Sequence, residues 1–210
     1  MVSKVDICNY ALQNLGGDTI TSLNENTPNA VECNLRYESS RRSLLQMHLW
    51  NFATRRAKLN KDTVAPAFNY DAQFTLPADF LYLVMTGLEE QFQSPSTQIV
   101  NSNLYVSDVP TYGGIDKYRI EGGKLLSHDD NVNIVYVADE EDPQKFSTTF
   151  VELLARYLSA NIAYRVVGSK SERDTQLAIF RDELREYQSI DSQQGVFDRL
   201  EISRFVSEMI

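Results

Sequence analysis

Residues 142–168, DPQKFSTTFVELLARYLSANIAYRVVG, carry a broad apolar stripe at helical spacing. Asp142-Pro143 marks the start of this segment and Gly168 ends it, so the pattern predicts an amphipathic helix from 146 to about 167. Ser169 then caps a further helix in which apolar residues return every three or four positions. The two helices predict an αα-hairpin. The apolar positions are Phe146, Phe150, Leu153, Leu154, Tyr157, Leu158 and Ile162 in the first helix, and Leu177, Phe180, Leu184 and Tyr187 in the second.

Two more helices are predicted before residue 50. Ser3 with Asp6 is typical of a capping box, and Gly16-Gly17 ends the first of these helices. Thr27-Pro28 predicts the start of the second, which runs to about Met47. Its apolar residues follow two lines, one of Val31, Leu35, Leu45 and Leu49 and one of Cys33, Tyr37, Leu44 and Met47. Cys8 and Cys33 are expected to be buried apolar residues of these helices rather than a disulfide or a zinc site.

The apolar period changes between the two helical segments. Trp50, Phe52 and Thr54 alternate with more polar neighbours, which predicts a strand. Residues 62–142 are rich in strand and turn signals, and Gly122-Gly123 is typical of a hairpin turn. The expected fold class is α+β: a helical domain of residues 1–61 and 143–195 made of two helical pairs, an inserted and mainly antiparallel β domain of residues 62–142, and a C-terminal tail of residues 196–210. Candidate strands are 72–75, 81–87, 98–100, 104–106, 118–121, 124–127 and 133–138.

Charge is unevenly distributed along the sequence. The chain holds 20 basic and 29 acidic residues and has a net charge of -9. Residues 1–61 carry 8 basic and 5 acidic residues, net +3, and residues 62–210 carry 12 and 24, net -12. An acidic chain does not usually bind nucleic acid with its whole surface. A basic cluster nevertheless stands out in the first segment, and it comprises Arg41, Arg42, Arg55, Arg56, Lys58 and Lys61.

Three interpretations of this basic cluster remain open from the sequence. It forms a solvated face with local ion pairs, it contacts an acidic surface of a neighbouring copy of the chain, or it contacts a nucleic-acid backbone. The acidic remainder of the chain makes another copy a natural partner in a head-to-tail assembly.

Patterns of catalytic, cofactor or metal-binding residues are not recognisable in the sequence. The two histidines, His48 and His128, lack metal-ligand spacing, and the glycine pairs make neither a dinucleotide-binding nor a P-loop motif. The acidic run 139–142 is interpreted as negative charge that interacts favourably with the dipole of the following helix. It lacks the ligand spacing of a calcium-binding loop. We therefore expect a protein that is not an enzyme and needs no cofactor. The sequence shows no recognisable signal peptide and no apolar run long enough to span a membrane. We therefore expect that the protein is made in a reducing cytoplasm and that it has no membrane partner.

The C-terminal segment 196–210 is unusually apolar for a chain end. Such a segment is expected to dock, either on its own domain or on a partner. Its candidate docking residues are Phe197, Leu200, Ile202, Phe205, Met209 and Ile210.

Several stretches of sequence, in their order and spacing, resemble one protein family. The opening contains ALQNLG at 11–16, ITSL at 20–23 and LWNFA at 49–53. The middle contains LPADFL at 76–81 and YRIEGGKLL at 118–126, and the second helical pair follows DPQKF at 142–146. Over roughly residues 5–190 the chain resembles the tail tubular protein A, or head-to-tail adaptor, family of short-tailed bacteriophages.

The resemblance implies a structural role in the virion, after synthesis in the cytoplasm of the host. It implies a ring of twelve copies between the portal protein and the tail nozzle, with DNA passing through the lumen without sequence-specific binding. The C-terminal segment would dock on the portal or on a neighbouring copy, and an acidic lumen would let DNA slide. The alternatives are a virion-associated peptidoglycan hydrolase, an activity credited to some related tail proteins, and a nucleic-acid-binding module that uses the basic cluster.

Overall fold

The fold is α+β. The structure is a computed structural model that describes residues 2–87, 111–112, 115–116 and 118–193. The helices are α1 (Lys4–Asn14), α2 (Pro28–Met47), α3 (Thr148–Val167) and α4 (Lys170–Gln193). The strands are β1 (Thr54–Leu59), β2 (Ala72–Thr75), β3 (Phe80–Gly87), β4 (Thr111–Tyr112), β5 (Ile115–Asp116), β6 (Tyr118–Glu121), β7 (Lys124–Ser127) and β8 (Val132–Ala138).

The chain divides into two compact units. Met1–Phe52 and Glu140–Ile210 form the helical unit, and Ala53–Asp139 forms the β unit. The boundaries predicted from the sequence lie later, after Lys61 and after Asp142. The difference arises because β1 pairs with β8 along its whole length, so its hydrogen bonds tie residues 54–59 to the β unit.

This division also changes the meaning of the charge distribution. The helical unit contains 13 basic and 18 acidic residues, net -5, and the β unit contains 7 and 11, net -4. Both units are therefore acidic, and the contrast between +3 and -12 along the sequence does not separate one unit from the other.

Helix α3 is the centre of the helical unit, since it packs against α1, α2 and α4. Its apolar residues are buried around most of the helix, which explains the breadth of the stripe in the sequence. Even its buried Ser159 is satisfied, because the hydroxyl lies 3.1 Å from the carbonyl oxygen of Ala11 and 2.7 Å from that of Ala155. Gly168 ends α3 in a left-handed conformation with φ 70°, as the sequence predicted.

The predicted helix starts are confirmed. Ser3 and Asp6 form a reciprocal capping box at α1, and Thr27 caps α2 with Pro28 in its first turn. Cys8 and Cys33 are buried, free thiols, also as predicted. Of the two apolar lines of α2, the line that contains Cys33, Tyr37 and Leu44 is buried except at Met47, which is 40% exposed.

The strand predicted from Trp50 begins four residues later. Residues Asn51–Ala53 form a 3-10 turn, and β1 starts at Thr54. The apolar alternation here reflects packing in the helical unit instead: the Trp50 and Phe52 rings lie 5.1 and 5.0 Å from the ring of Phe150. Trp50 also donates its indole hydrogen to the carbonyl of Leu44 at 3.0 Å. Burial of aromatic rings, not a pleated backbone, therefore produces the pattern.

The β unit is built from antiparallel sheets. One has the order β1-β8-β3, a second the order β2-β7-β6, and β4 pairs with β5. The β6–β7 turn uses Gly122 and Gly123 with φ 56° and 77°, the left-handed pair that a two-residue hairpin needs. Residues of both three-stranded sheets share one apolar core, which contains Leu59, Ala72, Phe74, Leu125, Val132, Ile134, Tyr136 and Ala138. The predicted strands at 98–100 and 104–106 lie outside the described residues.

Candidate interaction surface

Arg41 is not a surface residue. Its side chain is 1% exposed, and its guanidinium contacts the carboxylate of Glu38 at 2.9 Å and donates to the carbonyl oxygen of Glu140 at 2.6 Å. The Glu140 carboxylate in turn accepts from Lys145 at 3.1 Å. Arg41 therefore ties α2 to the segment before α3. This corrects its assignment to a contact surface, since a buried guanidinium is unavailable to a partner.

The ionisation of Glu38 follows from the same contacts. Burial raises the pKa of its carboxyl, but hydrogen bonds from Lys4 and Arg41 lower it, and the net pKa lies below the ordinary value. The carboxylate is thus kept charged opposite a buried cation, as its partner requires.

The remaining cluster members fall into two groups. Arg42 is exposed on α2, in the helical unit, whereas Arg55, Arg56, Lys58 and Lys61 lie in the β unit. The basic cluster of the sequence is therefore distributed over both units.

Arg55 is engaged within the β unit. Its guanidinium pairs with the carboxylate of Asp79, whose other oxygen accepts from the Tyr136 hydroxyl at 3.0 Å. Burial, followed by the hydrogen bond to Asp79, raises the pKa of Tyr136, so this hydroxyl stays protonated and donates. Asp79 belongs to the LPADFL segment, and its position shows that this segment joins β3 to β1 and β8.

Lysines near the ends of the strands are also paired. Lys61 forms an ion pair with Asp130, and Lys124 forms one with Asp62. The hydrogen bond from Lys124 is the main reason that the pKa of Asp62 lies below its ordinary value. These pairs leave little charge for an external partner.

Arg56 and Lys58 differ from these cations. Both are exposed, and within the described part of the chain neither has a carboxylate partner. They stand two positions apart on β1, so their side chains leave the same face of the strand. Because β1 is an edge strand, two cations here also oppose unwanted pairing with another sheet edge. Of the six residues of the basic cluster, these two are the clearest candidates for an intermolecular contact.

The loop between β1 and β2 exposes apolar side chains that the sequence analysis did not single out. Phe68 is 76% exposed and Val64 is 67% exposed. The signal in the sequence was the run TVAPAFN at 63–69, which is apolar although it occupies a loop.

A second exposed apolar pair lies on α2. Val31 is 51% exposed and Leu35 is 66% exposed, one helical turn apart on the same side of the helix. In the sequence both residues fall on the same apolar line as Leu45, which is buried. Helical periodicity identified the line but not which side of α2 is covered.

His128 lies beside the loop of residues 60–71. Its Nδ1 atom is 2.9 Å from the Asp71 carboxylate, and its ring centroid is 5.2 Å from that of Tyr70. Across the described residues, no group of three or more His, Cys, Asp or Glu side chains could hold a metal ion. The observed contacts of His128 are with Asp71 and Tyr70, at the end of this loop.

The docking residues assigned to the tail, Phe197 to Ile210, lie outside the described residues. None of the helices that the structure describes combines the length and apolarity needed to cross a membrane. Compared with known proteins, the chain matches no protein-family model and no curated protein.

Proposed function

We propose that the chain is a structural head-to-tail adaptor of a tailed phage. Twelve copies form a ring between the portal protein and the tail nozzle, and DNA passes through its lumen. The observation that carries the proposal is the order of the elements: two helices, then an antiparallel β unit, then two helices. This is the order that the family resemblance implies.

The places of the family-like segments support a scaffolding role. Asp79 in LPADFL bridges Arg55 and Tyr136. Asp142 in DPQKF caps a 3-10 turn by accepting from the amide of Gln144 at 3.0 Å. Both residues thus have structural contacts, which is consistent with a scaffolding role.

A nucleic-acid-binding module is a weaker reading of the same residues. Arg55 and Lys61 are neutralised by Asp79 and Asp130, and the β unit carries a net charge of -4. Duplex binding of useful strength needs several cations on phosphates. An acidic ring fits passage of DNA better than retention of it.

Portal binding is the direct test of the proposal. The purified chain is mixed with the portal protein of the same phage, and the mixture is separated by sizing chromatography and viewed by electron microscopy. We expect a complex with a ring of the chain on the portal. A mixture that elutes as two separate proteins would contradict the adaptor function, and a shift of duplex DNA at physiological salt would favour the nucleic-acid reading instead. Clearing of peptidoglycan in a zymogram would favour the hydrolase.

The tail supplies a second prediction. Removal of residues 196–210 deletes an apolar segment that has a partner in the proposed assembly, so portal affinity is expected to fall at least tenfold. Titration of full-length and shortened chains against portal measures this. A matched control replaces two of the five charged tail residues, Asp198 and Arg199, by Ser and keeps every apolar residue. Equal affinities of the full-length and shortened chains would show that the tail does not bind portal.

A further inference from the structure

Helices α1 and α2 contact each other along one line of residues on each helix. Lys4 lies over the ring of Tyr37, 5.5 Å from its centroid, and its ammonium group pairs with the carboxylate of Glu38. One turn further along α1 and one turn back along α2, the thiols of Cys8 and Cys33 form a hydrogen bond with each other. The two helices therefore run antiparallel, and they place the two sulfur atoms opposite each other.

The thiol pair lies inside the helical unit. Cys8 and Cys33 are both 0% exposed, and so are Ala11 and Ala30, three residues further along the same two lines. Small side chains at a contact allow two helices to approach closely. The chain contains two cysteines in all, so the fold brings both of its thiols together. A single buried cysteine acts as a small apolar residue, whereas two thiols in contact also have the chemistry of a dithiol.

The hydrogen bond between the thiols affects their ionisation in opposite ways. It is the main cause that raises the pKa of the Cys8 thiol, and burial raises that pKa further. The same hydrogen bond lowers the pKa of the Cys33 thiol. Cys8 thus keeps its proton and donates it, and Cys33 is the sulfur that first becomes a thiolate. The thiolate is the form of cysteine that attacks an oxidant.

We infer that Cys8 and Cys33 form a site of reversible oxidation, at which hydrogen peroxide joins α1 to α2 by a disulfide. The inference does not depend on the proposed function, since it rests on residues of the helical unit alone. The structure shows the reduced state, with two free thiols. The sulfur atoms of a disulfide are about 2.0 Å apart, so two thiols in hydrogen-bond contact need only a short further approach.

The oxidation proceeds in two balanced steps. The Cys33 thiolate attacks one oxygen of hydrogen peroxide, the O–O bond breaks, and the leaving hydroxide takes up the proton that the thiol released, which gives water and a sulfenic acid. Cys8 then attacks the sulfenic sulfur, the S–S bond forms, the S–O bond breaks, and the Cys8 proton leaves with the hydroxide as a second water. The two thiols lose two electrons, and the peroxide gains them.

Burial controls when this reaction takes place. Peroxide reaches the thiols only through local opening of the contact between α1 and α2, and in a reducing cytoplasm the thiols stay reduced. Once formed, the disulfide closes the loop between residues 8 and 33, which restricts the unfolded chain. Oxidation therefore holds α1 against α2, and a dithiol reductant reverses it by thiol–disulfide exchange.

Peptide mapping of the full chain tests the inference. The chain is treated with hydrogen peroxide, free thiols are alkylated in denaturant, and the product is cut with a protease that cleaves after glutamate. Glu25 and Glu32 lie between the two cysteines, so the peptides that carry Cys8 and Cys33 separate unless a disulfide joins them. We expect a joined pair that is lighter by two hydrogens than the two thiol peptides together. Dithiothreitol added before alkylation should return the separate peptides.

Urea unfolding measures the effect of the disulfide on stability. We expect the equilibrium constant for unfolding to fall at least tenfold after oxidation and to recover in dithiothreitol. Cys8→Ala and Cys33→Ala are the matched controls, and peroxide should not stabilise either of them. Peroxide also oxidises methionine, of which the chain has four. The controls keep all four, and methionine sulfoxide is reversed by its own reductases, so this reaction is distinguished from the disulfide.

Two results would overturn the inference. The first is recovery of Cys8 and Cys33 in separate peptides after a treatment that has oxidised the methionines, because the pair would then not form a disulfide. The second is a disulfide between two chains, seen as a dimer on a non-reducing gel, which would place the bond between copies instead of between α1 and α2. A disulfide within one chain supports the inference whether or not the chain binds portal.

Discussion

At the scale of single residues, burial decides what a charge can do. Arg41 and Arg42 are neighbours in sequence, yet Arg41 is 1% exposed whereas Arg42 is exposed. Removing one partner of a buried ion pair usually costs more than the pair contributes, because the other charge is left without compensation. Arg41 therefore makes its partner Glu38 important for stability.

Glu38→Gln tests this view of Arg41. We expect the substitution to lower the free energy of unfolding by roughly 1–2 kcal/mol. The effect should lie toward the low end of this range because 47% of the Glu38 side chain is exposed. The folded pKa of Glu38 is lowered, so its contribution is fully present above the unfolded value of about 4.3 and is lost as pH falls through the folded pKa. Urea unfolding at several pH values measures it.

The control for this experiment is Glu186→Gln, at an exposed position of α4 without a described ion pair. Its stability is expected to stay within about 0.5 kcal/mol of wild type. A pH-independent difference between wild type and Glu38→Gln would contradict the assigned role of the carboxylate.

At the scale of elements, β1 combines two functions on its two faces. Arg55 is turned to Asp79 and Tyr136, which joins the strand to the rest of its sheet. Arg56 and Lys58 alternate with core-facing neighbours and are exposed. One strand thus carries a structural cation and two that are available for a partner.

Substitutions on and near β1 should separate these functions. Asp79→Asn removes the carboxylate charge that both Arg55 and Tyr136 contact. We expect the free energy of unfolding to fall by about 1–2 kcal/mol. Arg56→Gln is expected to change stability by less than about 0.5 kcal/mol but to weaken assembly. Thermal unfolding and sizing chromatography give the two readouts. If Arg56→Gln destabilised the fold as much as Asp79→Asn, the division of roles would be wrong.

At the scale of the whole molecule, each unit has a core of its own. The β unit buries Phe74, Leu125 and Ile134, and the helical unit buries residues of α3 such as Phe150 and Leu158. Separate cores permit separate local unfolding.

Phe74→Ala is expected to lower the free energy of unfolding by about 3–5 kcal/mol, because it leaves a cavity in the core of the β unit. Amide hydrogen exchange should then speed up in β7 and β8 and stay slow in α3. The matched control is Phe68→Ala, the same change at a side chain that is 76% exposed, for which no faster exchange is expected. Equal loss of protection in α3 and β8 would show that the units unfold together.

The local elements were largely predictable from sequence. Caps such as Ser3 and Thr27, the end of α3 at Gly168 and the turn at Gly122-Gly123 depend on neighbours within a few residues, so their signals are short-range. The α+β class follows from these signals together, because the apolar period changes between the two helical segments.

The tertiary structure decided which side chains are available to a partner. The run from Arg55 to Lys61 contains four cations that look alike in sequence. Arg55 pairs with Asp79, 24 residues away, and Lys61 pairs with Asp130, 69 residues away. Only these distant contacts distinguish the two paired cations from Arg56 and Lys58. Val31 and Leu35 likewise follow the helical period of buried residues, and only the positions of the neighbouring helices leave them exposed. Periodicity and composition are properties of the chain near a residue, so the sequence by itself determined the helices, the strands and their order. Ion pairing and exposure depend on residues that folding brings close, so only the tertiary structure decided which side chains are exposed and unpaired on the surface.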